Sequence, residues 1–412
     1  MARTILHVDC NSFYASCEMS ENPSLRGKAM VVGGDVEARH GIVLAKSDLA
    51  KAAGIKTADT IGDAKKRCAN LIIVPPNYQL YIRISREVRA ILGDYSGYVE
   101  PFGIDEAWVD LGTDTIRQGT LLADEIRARI WREIGITTSV GVADNKIMAK
   151  LGSDYKKPDA TTVIAPADYR RIVWPLPVGE LMGAGGATQT RLARIGVFTI
   201  GALAEMDPEN LRHALGINGL LLWQYANGLD RSPVAPVGAV PDIESVSHST
   251  TTPHDLCDED QVRRTYWVLV EAVAARLREL RLRARTVQIQ LRDNALCFLQ
   301  RQTKIERPSN LAAEIIQAAM ALFRANYDLS RQKPLRLVGV RCADVETEDG
   351  CAQLSMFDDE KKRVHQEAIE RAVDGIRARF GPSAIRRASL MEDQAVATHF
   401  REVQPLRPFG RN

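Results

Sequence analysis

VEPFGIDEAWVDLG, residues 99–112, reads as two short strands joined by a tight turn. An amphipathic helix stands on each side of this hairpin. YQLYIRISREVRAIL at 78–92 puts Leu80, Ile84, Val88 and Leu92 on one face, and TLLADEIRARIWREI at 120–134 does the same with Leu122, Ile126 and Ile130. Further out lie two apolar strand runs, TILHV at 4–8, which stops at Asp9, and TTSVGVA at 137–143. The order β, α, β-hairpin, α, β predicts an α+β sheet of mixed direction, close to the split βαβ arrangement.

Beyond this core, KAMVV at 28–32 and LIIVPP at 71–76 read as strands flanking a small α-rich insertion at 41–70. After TTVIAP at 161–166, residues 167–236 read as all-helical and punctuated by glycines, and SPVAPVGAVPD at 232–242 has the composition of a linker. Residues 243–345 alternate the strands ESVSHSTTT, TVQIQLRD and LRLVGVRCADV with two long amphipathic helices, a second α+β domain. The remainder opens polar and acidic and carries one helix-like piece at 359–379. At roughly 100–200 residues per domain, 412 residues imply two to four domains. With 45% hydrophobic and 26% charged residues, the composition excludes wholesale disorder and a disulfide mini-scaffold.

The net charge of +2 is uninformative, but residues 276–307 hold nine Lys/Arg against three acids. Seven scattered cysteines without a C-x-x-C pair point to reduced thiols rather than a disulfide framework or a zinc site. No apolar run approaches the ~20 residues of a membrane span, and MARTILHVD reads as a strand rather than a secretory signal, so a cytoplasmic, nucleoid-associated protein is expected.

Asp9 ends its strand, and Asp105 and Glu106 sit together in the hairpin, so three carboxylates can converge at one edge of one sheet. Such a cluster is costly unless cations neutralise it, and a pair of Mg²⁺ ions ~3.5–4 Å apart is the usual relief. HVDCNSFYASCE at 7–18, VEPFGIDEAWVDL at 99–111 and GVADNKIMAKLGSDYKKPDA at 141–160 together resemble the three motifs of the Y-family translesion DNA polymerases, the DNA polymerase IV and UmuC-like group. Order and spacing match, and the resemblance covers roughly residues 3–357.

The resemblance implies an α+β multidomain right hand. Its palm would be 1–11 and 77–166, small fingers 12–76, helical thumb 167–237, α+β little finger 238–346 and tail 347–412. It implies catalytic, metal-binding carboxylates at Asp9, Asp105 and Glu106, with the main-chain carbonyl of Cys10 on one of two Mg²⁺ ions. Tyr14 would be the steric gate under the deoxyribose; Phe13, Lys51 and Lys157 would meet the incoming dNTP. Departures concentrate in the fingers, where Ala45 and Asp48 replace the usual nucleotide-contacting types and only Lys51 keeps its charge; Gly103 also replaces a serine, and Asp144 a proline.

GAGGAT at 183–188 resembles the helix-hairpin-helix turn that offers backbone N–H groups to a DNA phosphate, through Gly183, Gly185, Gly186 and Thr188. In the basic stretch, TVQIQLRD alternates so that Val287, Ile289 and Leu291 pack while Gln288, Gln290 and Arg292 form a free face for primer-template DNA. QLSMF at 353–357 resembles the pentapeptide by which bacterial polymerases bind the sliding clamp, through Gln353, Leu354, Met356 and Phe357. Translesion synthesis by a low-fidelity, low-processivity monomer is the activity implied; the rival reading is a non-catalytic clamp- and DNA-binding accessory factor.

Overall fold

The computed structural model describes residues 3–34, 41–112, 115–239, 242–348 and 360–390, which fall into two compact units meeting in sequence at residues 240–241. The first unit runs through β1 (Ile5–Cys10), α1 (Phe13–Glu21), β2 (Met30–Gly33), β3 (Val43–Lys46), α2 (Asp48–Ala52), α3 (Ile61–Arg67), β4 (Ile72–Val74) and α4 (Tyr78–Gly93). It continues with β5 (Val99–Phe102), β6 (Glu106–Asp110), α5 (Ile116–Ile134), β7 (Thr138–Ala143), α6 (Lys146–Tyr155) and β8 (Thr161–Ile164). Four helices follow: α7 (Gly186–Arg194), α8 (Ile200–Glu205), α9 (Pro208–Leu215) and α10 (Ile217–Ala226).

A five-stranded sheet ordered β5-β6-β1-β7-β8 organises this unit; β1 is antiparallel to both neighbours and β7 runs parallel to β8. Every residue of β1 is buried, as a central strand covered on both faces requires. Its alternation divides two cores. Leu6, Val8 and Cys10 join α4 and α5, through Leu80, Ile84, Val88, Leu92, Ala123, Ile126 and Ile130, whereas Ile5 joins α6 and the helices of 167–226. By the two-residue period His7 and Asp9 share the α6 face.

Gly141 makes this second face possible. A Cβ there would meet the Ala149 carbonyl oxygen at 1.8 Å and the Ser153 nitrogen at 2.5 Å, so only glycine lets α6 lie this close to the sheet. Asn145 starts α6 at that point, its Oδ1 accepting from the Met148 N–H at 2.9 Å and its Nδ2 donating to the Tyr169 hydroxyl at 2.9 Å.

The insertion after α1 is more β than expected. It forms a three-stranded sheet, β3-β2-β4, with its own small core of Val31, Val43, Ala50, Ile55, Ile61 and Ala64. Residues 13–21 bury Phe13, Ala15 and Cys17 in the core that holds Leu6, Val8 and Cys10 of β1 and also Met30 and Val32 of β2.

The second unit is a four-stranded antiparallel sheet with helices. In chain order it contains β9 (Ser245–Leu256), α11 (Glu259–Glu279), β10 (Leu282–Asp293), β11 (Phe298–Ser309), α12 (Ala312–Asn326), β12 (Leu335–Thr347) and α13 (Glu360–Phe380). The sheet order is β11-β10-β12-β9, with Val287, Ile289, Leu291, Val338 and Val340 packed on α11 and α12. β11 escaped the sequence reading because an edge strand of FLQRQTKIERPS has few apolar residues to alternate.

The tail does not leave this unit at 347. Helix α13 is tied to it by ion pairs from Arg278 Nη1 to Glu370 (2.5 Å), Arg278 Nε to Asp374 (2.7 Å), Arg377 to Glu271 (2.8 Å) and Arg363 to Glu314 (3.1 Å). Part of the +6 stretch is therefore internal: Arg276 and Arg278 are each 6% exposed and spend their charge on acids. The 353–357 pentapeptide lies outside the described residues.

Candidate active site

β1 and β6 place Asp9 directly opposite Glu106, and the β5–β6 turn delivers Asp105 beside them, where its carbonyl accepts from the Cys10 N–H at 3.0 Å. Asp9 is 4% exposed, and burial with the neighbouring Glu106 lifts its pKa to about 6 in spite of Lys157. Asp105 is lifted to about 6 by burial and by the charges of Glu106 and Asp9, and it makes no ion pair among the described residues. An excess of negative charge is thus held at one sheet edge.

Helix α6 answers it with cations. Lys150 Nζ lies 2.7 Å from Glu106, 3.4 Å from Asp9 and 3.2 Å from Asp154, and Lys157 Nζ lies 2.7 Å from both Asp9 and Asp154. Burial opposes the charge on both ammoniums, yet the carboxylates outweigh it and both pKa values are raised. Lys157 is the lysine expected from sequence. Lys150, Asp154 and the buried His7 were missed, although 150 and 154 follow the i, i+4 spacing of one helix face, with Lys157 two residues past the end of α6.

Among the described residues no three His, Cys, Asp or Glu side chains close around a metal-sized point. The donor set nevertheless fits a hard divalent cation: three carboxylates, two with pKa values driven up by mutual repulsion and burial, are the oxygen ligands such an ion takes. The Cys10 thiol is buried and its pKa is raised by burial, which leaves only its main chain for that role.

Tyr14 is half-buried on α1 and stacks on Tyr81 of α4 at 4.3 Å between ring centroids and 11° between planes. Tyr81 is itself fixed, its hydroxyl donating to Glu18 Oε1 at 2.6 Å. Phe13 departs from its expected role: at 4% exposure its ring belongs to the core on the inner side of α1 and offers no surface to a nucleotide. Lys51 is exposed on α2, and its charge lowers the pKa of Lys46, after burial the second cause. Ala45 and Asp48 flank them without adding a cation.

Gly183 has φ +89°, a turn conformation glycine favours, and Gly185 caps α7 without any side-chain hydrogen bond. Gly185 and Gly186 are exposed, with open space where a side chain would project, and Thr188 is half-buried further along α7. In the second unit Gln288 is 6% exposed, contrary to the free face expected of it. It lies opposite Gln302 on β11 and Arg341 on β12, in a strand with neighbours on both sides. The accessible polar surface is shifted toward the sheet edge, with Arg292, Gln300, Gln302 and Lys304 exposed and Gln290 half-exposed.

The chain matches the impB/mucB/samB family over residues 8–154 and the C-terminal domain of the same family over residues 243–356. It is 44% identical over 398 residues to DNA polymerase IV of Acetivibrio thermocellus, covering 96% of this chain and 99% of that one. To DNA polymerase IV 1 of Bacillus subtilis it is 36% identical over 400 residues, covering 96% and 95%. A solved Y-family DNA polymerase chimera shares the fold with a TM-score of 0.73 at 22% identity, over 84% of this chain and 99% of the other. No helix among the described residues is long and apolar enough to cross a membrane. With both halves matched and near-complete overlap with its relatives, the chain belongs to the impB/mucB/samB family, beside the DNA polymerases IV.

Proposed function

We propose that this protein is a DNA-templated DNA polymerase of translesion synthesis, joining a dNTP to a primer 3′-hydroxyl. The observation that carries the reading is the meeting of Asp9, Asp105 and Glu106 at one sheet edge with Lys150 and Lys157 upon them. Asp9, Asp105, Glu106 and the Cys10 carbonyl would hold two Mg²⁺ ions. These, when bound, sharpen the primer hydroxyl as a nucleophile and stabilise the charge on the leaving pyrophosphate.

The chain's own groups do the rest. Lys157, at the mouth of the site, transfers its charge from Asp9 to the triphosphate; Lys46 and Lys51 add a second positive contact from the small sheet. Tyr14, backed by Tyr81, occupies the space a ribose 2′-hydroxyl would need. Amides at the start of α7 and the edge formed by Gln290, Arg292 and Lys304 grip DNA phosphates without reading sequence. The palm, fingers, thumb and little finger retain the proposed limits, except that α1 serves the palm and 360–390 the little finger. Residues 353–357 would bind the sliding clamp, the protein acting as a monomer in the cytoplasm.

Primer extension on an undamaged template, followed by lesion templates, tests the reading. Wild type extends with Mg²⁺ and dNTPs, while Asp105→Ala/Glu106→Ala binds the same DNA and extends nothing. Absence of extension by both proteins overturns the catalytic reading in favour of a DNA-binding accessory factor.

A further inference from the structure

We propose that His7 is a positioning residue for Glu106: its ring Nε2–H steadies one carboxylate oxygen while Lys150 holds the other. The inference rests on the reading of Glu106 as a metal-binding carboxylate. His7 is 0% exposed, lies opposite Trp108 and Gly141 on the neighbouring strands, and meets the Trp108 ring edge-on at 5.3 Å. Its Nδ1 is 2.8 Å from Ser153 Oγ. Its Nε2 makes no aligned hydrogen bond and has Glu106 Oε2 as a neighbour at 3.4 Å.

The tautomer follows from counting protons. Ser153 has one hydroxyl proton and two acceptors at 2.8 Å, His7 Nδ1 and the Lys150 carbonyl. Were the proton given to the carbonyl, Nδ1 would have to carry the ring's hydrogen, and the buried Nε2 lone pair would lie 3.4 Å from a carboxylate oxygen. That arrangement pairs acceptor with acceptor. When Ser153 donates to Nδ1, Nε2 carries the hydrogen on the side of Glu106, 3.4 Å from Oε2, where a small shift of the carboxylate completes the bond; the Lys150 carbonyl, inside α6, keeps its helical partner. Of the two neutral tautomers, only this one gives both ring nitrogens a favourable neighbour.

Glu106 needs such a support more than the two aspartates do. Its extra methylene adds a rotatable bond, and a ligand free to swing costs ordering entropy when it binds. With Lys150 Nζ at 2.7 Å from Oε1 and His7 beneath Oε2, both oxygens are oriented from the α6 face. Groups behind a ligand commonly govern affinity in this way. Gly141 is part of the device, because its missing side chain lets Ser153 approach His7 across the strand.

The test measures Mn²⁺ binding by electron paramagnetic resonance on the full chain with a dideoxy-terminated primer-template and the next dNTP, where no bond can form. His7→Leu is expected to bind Mn²⁺ about tenfold more weakly, and His7→Gln, whose amide N–H can replace Nε2–H, to stay within about threefold of wild type. Wild-type affinity in His7→Leu, or equal loss in both variants, overturns the proposal, the latter by showing that only packing was lost. Ring ¹⁵N shifts of the wild-type protein at pH 8 give a second readout that needs no variant: a hydrogen on Nε2 supports the proposal and a hydrogen on Nδ1 overturns it. Glu106→Gln separates the two levels. If it binds Mn²⁺ and extends primers like wild type, the site reading falls; if it fails while His7→Leu does not, only the role of His7 falls.

Discussion

Asp105 costs the fold stability for the sake of its charge. Its pKa in the folded chain is about 6 against an ordinary 3.8, with burial the first cause and the charges of Glu106 and Asp9 next. Between these values the folded state binds a proton that the unfolded state lacks, so stability falls as pH rises through the window and stays low above it. Asp105→Asn is therefore expected to be more stable than wild type at pH 7.5 in EDTA, by about 1–2 kcal/mol after allowance for solvent screening. The gap should close as pH falls to 4, and urea unfolding at the two pH values checks it. Tyr14 makes a different contribution. It is half-buried and held by a stack on Tyr81, so Tyr14→Ala should fold normally and, with Tyr14 as the proposed gate, incorporate ribonucleotides more readily. A single steric contact of about 1–3 kcal/mol corresponds to a gain of roughly 10–200-fold in relative kcat/KM, read from matched dNTP and rNTP kinetics. Equal sugar selectivity in mutant and wild type would remove the gate assignment.

Two helices show what elements add to residues. Helix α6 brings Lys150, Ser153 and Asp154 over the strand that carries His7 and Asp9, and it can do so only because Gly141 has no side chain. The motif residues at 141–160 were visible in the sequence, but their function as a lid of cations over three acids was not, since it depends on a packing distance. Helix α13 was legible as a helix and misplaced as a tail, because its partners are charged and lie about 90 residues earlier in the chain. Arg278 is the centre of that attachment, 6% exposed between Glu370 and Asp374. Removing both acids, as Glu370→Gln/Asp374→Asn, leaves a guanidinium buried without a counter-charge and should destabilise the second unit by about 3–5 kcal/mol. Adding Arg278→Met should return much of the loss, which thermal unfolding of wild type and the two variants would show; no loss in the double variant would refute the role of the pair.

At the scale of the whole molecule, the proposed catalytic groups and one part of the proposed grip on DNA come from separate parts of the chain. The carboxylates belong to the first unit, and the polar sheet edge of Arg292, Gln300, Gln302 and Lys304 to the second. The grip proposed for that edge would be sequence-independent and weaken with salt, and the tether proposed at 353–357 would offset this by raising the local concentration of primer ends. Deleting 353–357 should abolish binding to the clamp in a pull-down with purified clamp and leave distributive primer extension unchanged; unaltered clamp binding would dismiss the motif. The order of strands and helices around the hairpin, the three motifs in register and the carboxylates Asp9, Asp105 and Glu106 were all determined by the sequence itself. They are local patterns of period and residue type, which neighbours along the chain suffice to define. The tertiary structure alone decided that Phe13 belongs to the core and Gln288 lies covered, that α13 belongs to the second unit, and that His7 and Ser153 stand behind Glu106. Burial and pairing across 30 to 150 positions arise only when distant segments pack, and no local pattern carries that information.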